Sequence, residues 1–238
     1  MKALLLGYGE IGKAVDTVYG KTHEITKYDP KFCPEFPTGE FDILLVAIPY
    51  SKAFVDIVYD YYTKFGCKAI IVFSTVQVGT CSSLPNCVHS PVEGKHPDLA
   101  ESVMMMQRVM GGYNPTVYKF FMDARQAAVV YPRPDITEVL KLLSTTFYGV
   151  CLEYYRYAAS VLKEVGGDGG EFKQFNAMYN NLYNNMGMQN FIRPILDYPK
   201  GELGGHCVVP NAKILMEQYP CAMVEEVASQ REAKEESK

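Results

Sequence analysis

The sequence predicts an α/β protein: a Rossmann-like doubly wound parallel sheet over residues 1–132, then a helical domain over 133–238 built on one long helix. Three observations predict it. Short apolar runs alternate with amphipathic stretches through the first half, the pattern of parallel strands joined by crossover helices. Tyr131, Pro132, Arg133 and Pro134 break that alternation, because prolines end a strand and turn the preceding residue away from helix. Beyond them, apolar residues recur at three-and-four spacing through Ile136, Val139, Leu140, Leu143, Phe147, Val150, Tyr154, Tyr157 and Val161.

Each element follows in turn. Strands are expected at 3–6, 24–28, 41–48, 69–73, 87–89 and 127–131. Helical periodicity occupies 11–19 and 51–65, where Phe54, Ile57, Val58 and Tyr61 share a face. The long helix runs from about 135 to 165, with Asp135 as N-cap and Gly166 and Gly167 as its stop. A second helix over 172–185 is rich in Asn and Tyr. Asn176, Asn180 and Asn184 align on one face of it, which suits either the hydroxyls of a small substrate or an interhelical or dimer contact. Met104, Met105 and Met106 read as core filling. The stretch from Met223 to Lys238 is strongly charged, and its last dozen residues read as a solvated helix or frayed tail.

Composition narrows the function classes. With 48% hydrophobic and 21% charged residues, the 238-residue chain is expected to pack a core. A net charge of −4 gives no broad positive field for nucleic acid or an anionic membrane. No apolar run has the length of a membrane span and no signal-peptide layout opens the chain, so a cytoplasmic protein is expected. Seven cysteines without CxxC spacing fit neither a disulfide framework nor a zinc site, and four histidines offer no paired ligand spacing, so no metal is expected.

Gly7, Tyr8, Gly9, Glu10, Ile11 and Gly12 form GxGxxG between a strand and a helix. The first glycine permits the tight turn, the second lets backbone approach a pyrophosphate, and the third allows close packing of helix on strand. The helix N-terminus attracts the negative charge. Asp29 ends the second strand, where a carboxylate accepts hydrogen bonds from ribose hydroxyls and repels a 2′-phosphate. NAD is therefore the expected cofactor of a Rossmann-type domain.

Two further strands end in FDILLVAIP, closing on Ile48 and Pro49, and in FSTVQVGT, opening on Ser74 and Thr75. These segments resemble the UDP-glucose/GDP-mannose (nucleotide-sugar) dehydrogenase family, with its proline over the cofactor and its S-T-x-P-V-G turn. Ser74, Thr75, Val78 and Gly79 match, and Gln77 replaces the proline. The resemblance continues through Ser90 and Pro91, Gly111 and Gly112, and the long helix containing Lys141. It ends at Gly204, Gly205, His206 and Cys207, which resemble the family's G-G-x-C loop, placed here at about 203–211. The resemblance implies two-step oxidation of an alcohol to a carboxylate with NAD, through a thiol-bound aldehyde adduct and a thioester. On it, Cys207 is the nucleophile, Lys141 stabilises the oxyanion, Thr145 stands where the family has an Asn, and Thr75 helps hold a water.

The sequence departs from that pattern at both acids. The family's hydrolytic carboxylate falls on Val92, with Glu93 displaced by one residue, and the Asp after the nucleophile falls on Asn211. Neither Val nor Asn is a general base. The family's nucleotide-binding domain beyond the cysteine loop has no counterpart here, unless a second chain supplies it. Three readings follow: a shortened nucleotide-sugar dehydrogenase relative, a dehydrogenase for a small hydroxy acid or alcohol using Lys141, or a non-catalytic NAD-binding or interaction protein. The wide apolar stripe of the long helix favours a homodimer.

Overall fold

Continuous apolar runs become buried strands: β1 (Lys2–Leu6), β2 (Glu24–Tyr28), β3 (Ile43–Val46), β4 (Ala69–Val72), β5 (Cys87–His89), β6 (Arg108–Gly111) and β7 (Ala128–Tyr131). In the computed structural model, which describes residues 1–94, 98–197, 201, 203 and 207–230, they form one sheet in the order β2-β1-β3-β4-β5-β6-β7. Strands β1 to β5 are parallel. β5 and β6 pair antiparallel at His89 and Gly111, and β6 and β7 are parallel to each other. The wholly parallel sheet expected from the sequence is thus corrected at its far edge.

Side chains alternate across the sheet and so build a core on each face. Leu5, Leu45 and Ile71 pack with α1 (Glu10–Tyr19), α3 (Leu99–Met105) and α4 (Pro115–Asp123). Leu4, Leu44, Val46 and Ile70 pack with α2 (Phe54–Lys64) and with Phe41 of the loop after β2. α3 and α4 were not expected from the sequence. Asn114 caps α4, its side chain accepting from the N–H groups of Thr116 and Val117, with Pro115 in the first turn. Met104, Met105 and Met106 are exposed at the end of α3 rather than filling the core.

α5 spans Pro134–Glu164. It opens one residue earlier than expected: proline's fixed φ suits the first helical position, and Asp135 lies inside the first turn, paired with Arg133 at 3.0 Å. Its end is where the glycines put it, with Gly166 at φ +90°. The chain divides into two compact units, Met1–Lys141 and Leu142–Lys238. That division falls within α5 and not at 132/133, because Thr137, Glu138 and Lys141 are bonded to loops of the sheet.

The second unit also contains α6 (Glu171–Asn185), α7 (Val208–Gln218) and α8 (Ala222–Ala228). Leu152, Leu203, Val208, Val209, Ala212 and Val227 form its core. α5 passes α7 and α8 at Gly149, where a Cβ would come within 2.6 Å of Val208 and 2.7 Å of Val227. On α6, Asn176 and Asn180 are buried and bonded within the protein: Asn176 donates to the Tyr155 hydroxyl at 3.0 Å and Asn180 donates to the Arg193 carbonyl at 2.8 Å. Asn176 and Asn180 form an internal hydrogen-bonding surface, whereas Asn184, the third residue of that face, is exposed and accepts from the Gln189 amide at 3.2 Å. All seven cysteines are free thiols, and no helix among the described residues is long and apolar enough to cross a membrane.

Candidate functional site

The strand order reverses at β1: β2 lies on one side of it and β3 on the other. In an open α/β sheet the crevice beyond the carboxyl ends of such strands is the ligand site. The glycine turn stands there. Gly7 has φ +88°, and a Cβ on it would meet the Ala47 carbonyl at 2.4 Å; a Cβ on Gly12 would meet the Gly7 carbonyl at 2.1 Å. These two glycines are therefore fixed by packing of turn on strand and helix on turn. Gly9 is different, because a Cβ there would meet nothing within 4 Å. It heads α1 as N-cap without any side-chain cap, so the helix presents its first N–H groups beside open space.

Those features fit a pyrophosphate, and Asp29 fits the adjoining ribose. One Asp29 oxygen accepts the Tyr8 N–H at 2.8 Å, and the other accepts the N–H groups of Lys31 at 2.8 Å and Phe32 at 3.1 Å. Burial alone would raise its pKa, but these bonds outweigh burial and hold the carboxyl below its ordinary range. An ionised acceptor thus stands at the end of β2. The Tyr8 N–H is committed to Asp29. The Tyr8 hydroxyl donates to Asp16 at 2.7 Å, a bond that pushes its pKa up to about 12. Ile11 packs against the core below α1, and Glu10 is exposed at the helix start.

Ile48 and Pro49 follow β3, and Ser74 and Thr75 follow β4, so all four stand at the same carboxyl edge. The Ser74 hydroxyl donates to the Ile48 carbonyl at 2.7 Å. Thr75 is half-buried. Gln77, in place of the resembled family's proline, accepts from the Tyr50 hydroxyl at 2.8 Å.

Four buried polar residues that sequence reasoning passed over fasten this edge. His89 has no exposed surface. Its Nε2 lies 3.2 Å from the Ser74 carbonyl and its Nδ1 lies 2.9 Å from the Thr137 hydroxyl. A carbonyl only accepts, so Nε2 carries the proton and Nδ1 accepts from Thr137. Burial, aided by the charges of Lys141 and Arg108, drives the imidazole pKa down to about 3 and keeps it neutral. Glu138, equally buried, accepts from the Gly79 N–H at 2.6 Å and the Cys81 N–H at 2.7 Å, and burial raises its carboxyl pKa. Arg108 donates to the carbonyls of Ser90 at 3.1 Å and Pro91 at 2.8 Å, and to the Ser90 hydroxyl at 3.1 Å. The available signal was polar residues inside otherwise apolar strands and at the opening of α5.

Lys141 sits in the same unit. Its ammonium donates to the Val92 carbonyl at 2.8 Å and pairs with Glu93 at 3.1 Å, and its side chain is only 11% exposed. Val92, where the resembled family has its acid, points into the core. The displaced Glu93 instead faces the lysine. Thr145, Cys207 and Asn211 belong to the second unit. Cys207 is half-buried at the N-cap of α7, and the Asn211 N–H donates to the Cys207 carbonyl at 3.1 Å. Asn211 is buried, and its side-chain Nδ2 meets no hydrogen-bond acceptor among the described residues. Gly204, Gly205 and His206 lie outside the described residues, as do residues 231–238 of the charged tail.

A glycine cradle at the reversal of a doubly wound sheet defines a Rossmann-like α/β fold. Solved structures share it: UDP-D-ManNAc dehydrogenase from Pyrococcus horikoshii aligns with TM-score 0.75 at 13% identity, over 95% of this chain and 67% of that one. UDP-glucose dehydrogenase from Pyrobaculum islandicum gives 0.73 at 14% identity, with the same coverage of 95% and 67%. A 3-hydroxyisobutyrate dehydrogenase from Mycobacterium tuberculosis gives 0.68 at 13% identity, over 95% of this chain and 91% of that one. These likenesses establish the Rossmann-like fold. No family model and no curated protein sequence matches the chain.

Proposed function

We propose that the chain is an NAD-dependent oxidoreductase acting on a CH–OH group, with Lys141 as the residue that polarises the substrate oxygen. The observation that carries the cofactor is the open space over Gly9 at an uncapped helix N-terminus, with the ionised Asp29 beside it. Backbone N–H groups of α1 would hold the pyrophosphate, Asp29 the adenosine ribose, and the segments after β3 and β4, at Ile48, Pro49, Ser74 and Thr75, would border the nicotinamide half. NAD, when bound, supplies the hydride acceptor. Lys141 would supply a cation that stabilises the alkoxide formed as the substrate hydroxyl loses its proton to solvent, a charge that collapses into the carbonyl as the carbon gives its hydride to NAD, and Glu93 orients the ammonium. Its place next to the carboxyl edge, in the unit that carries the cradle, supports a small hydroxy acid or alcohol as substrate.

A second reading keeps the nucleotide-sugar substrate and the thioester. The position of Cys207 favours it: N–H groups at a helix N-terminus stabilise a thiolate. On this reading Cys207 is the nucleophile, and the Asn211 amide and the Thr145 hydroxyl, in the same unit, donate to the oxyanion. A non-catalytic NAD-binding role is the remaining alternative. The test is NADH formation with a panel of hydroxy acids, alcohols and UDP-glucose. Loss in Lys141→Ala with Cys207→Ala unaffected supports the first reading, and loss in Cys207→Ala with UDP-glucose supports the second. NAD binding without reduction of any panel member overturns both. Phe147, Tyr154 and Tyr157 keep an apolar face of α5 exposed, 63% at Phe147 and 64% at Tyr157, and we propose that a second copy covers it; a monomeric sedimentation coefficient at micromolar concentration would refute this.

A further inference from the structure

Resting on the cofactor reading above, we infer that Glu138 is a positioning residue for the nicotinamide half of the site. Its carboxylate acts through the N–H groups of Gly79 and Cys81 and holds the turn from Ser74 to Thr80 in the form that presents Thr75. The two oxygens divide their work, one on Gly79 at 2.6 Å and the other on Cys81 at 2.7 Å. These N–H groups open the 3-10 turn Cys81–Ser83, which has no side-chain cap from its own N-cap residue Thr80. A carboxylate suits two separate N–H donors because it only accepts; an amide would turn its NH2 against one of them. Gly79 itself has φ +95°, so the turn takes a shape that a side chain seldom adopts unaided.

The other end of the same turn is secured independently. Thr137 donates to His89, His89 donates to the Ser74 carbonyl, and the Ser74 hydroxyl donates to the Ile48 carbonyl. Thr137 and Glu138 are consecutive residues, so one turn of α5 fastens both ends of the loop that follows β4. An apolar residue at 138 would avoid the desolvation cost of a buried carboxylate. What the carboxylate adds is a fixed course for the loop. In a doubly wound sheet the adenosine half lies over the first glycine turn and the nicotinamide half over the strands beyond the reversal. Glu138 therefore acts on one half of the cofactor only.

Calorimetry with ADP-ribose and with NAD separates those halves. The Glu138→Gln protein is expected to bind ADP-ribose within about twofold of wild type and NAD about tenfold more weakly, the scale of one charge-assisted hydrogen bond. The Gly79→Ala protein strains the same turn from its open side, where a Cβ meets nothing within 4 Å, and is expected to show the same split; it carries the test alone should Glu138→Gln fail to fold. An equal loss for both ligands, or no loss for NAD, overturns the inference. Wild-type protein that binds neither ligand overturns the cofactor reading beneath it. Wild-type protein that binds both, with no split in the variants, overturns the role of Glu138 alone.

Discussion

Acid should destabilise this protein through His89, and the size of the effect follows from its setting. The imidazole is fully buried, neutral and held at about 3, against 6.5 for an ordinary histidine. Between those values the unfolded chain binds a proton that the folded chain refuses, so stability is complete above about pH 6.5 and falls as pH drops towards 3. From about pH 8 to about pH 4.5 the loss from this one group is about 2.7 kcal/mol, at about 1.36 kcal/mol per pH unit below 6.5. Glutamine at 89 retains an amide donor for Ser74 but has no proton to gain. Urea unfolding at both pH values, followed by far-UV circular dichroism because the chain has no Trp, should therefore show a smaller acid loss in His89→Gln than in wild type, by about that amount. His23, also lowered by burial, and Glu138, raised by burial, are common to both proteins and cancel in the comparison. Equal acid losses would mean that His89 takes up its second proton in the folded state, and the assignment of Nδ1 as a neutral acceptor would be wrong.

Further predictions concern the cradle and the lysine. Gly9→Val should abolish measurable NAD binding by calorimetry while leaving the melting temperature within about 2 °C of wild type, since the new side chain starts into ligand space from a Cβ that meets no protein atom within 4 Å. Gly12→Ala should do the reverse and destabilise by about 1–3 kcal/mol in thermal unfolding, because its Cβ would lie 2.1 Å from the Gly7 carbonyl. Lys141→Ala should lower kcat by about 10²–10⁴-fold in steady-state NADH formation while the Kd for NAD changes little.

The sequence made visible whatever depends on neighbours in the chain. β1, β3 and β4 announced themselves as apolar runs because they are covered on both faces, and the glycine spacing of 7, 9 and 12 was legible because each glycine answers a local need. α4 carried a readable signal in Asn114-Pro115 that apolar periodicity overshadowed. The reversal of direction at β6 left no mark, since a three-residue strand such as β5 reads the same whichever way its neighbour runs. The ties of Glu138 to Gly79 and of His89 to Thr137 join positions remote in sequence, and no spacing rule reaches that far. Lys141 was found through resemblance; that its partner would be Glu93 needed coordinates.

β2 is the outermost strand on the adenosine side, whereas the common dinucleotide-binding order sets another strand beyond it. In that strand's place the chain turns back at once, bridging Asp29 to Cys33, and crosses to β3 through Pro30, Pro34 and Pro37. Phe32, with the ammonium groups of Lys13 and Lys31 each 5.1 Å from its ring centre, forms the border there. Nothing in the ladder of the sheet depends on the outer part of that border. If the proposed cofactor reading holds, substitutions at the exposed Lys31 and Phe32 would retune which adenine nucleotide is preferred while the strands keep their register, whereas the buried Pro37 and the Phe36 ring packed on Tyr28, Tyr61 and Phe65 tie the rest of the loop to the sheet.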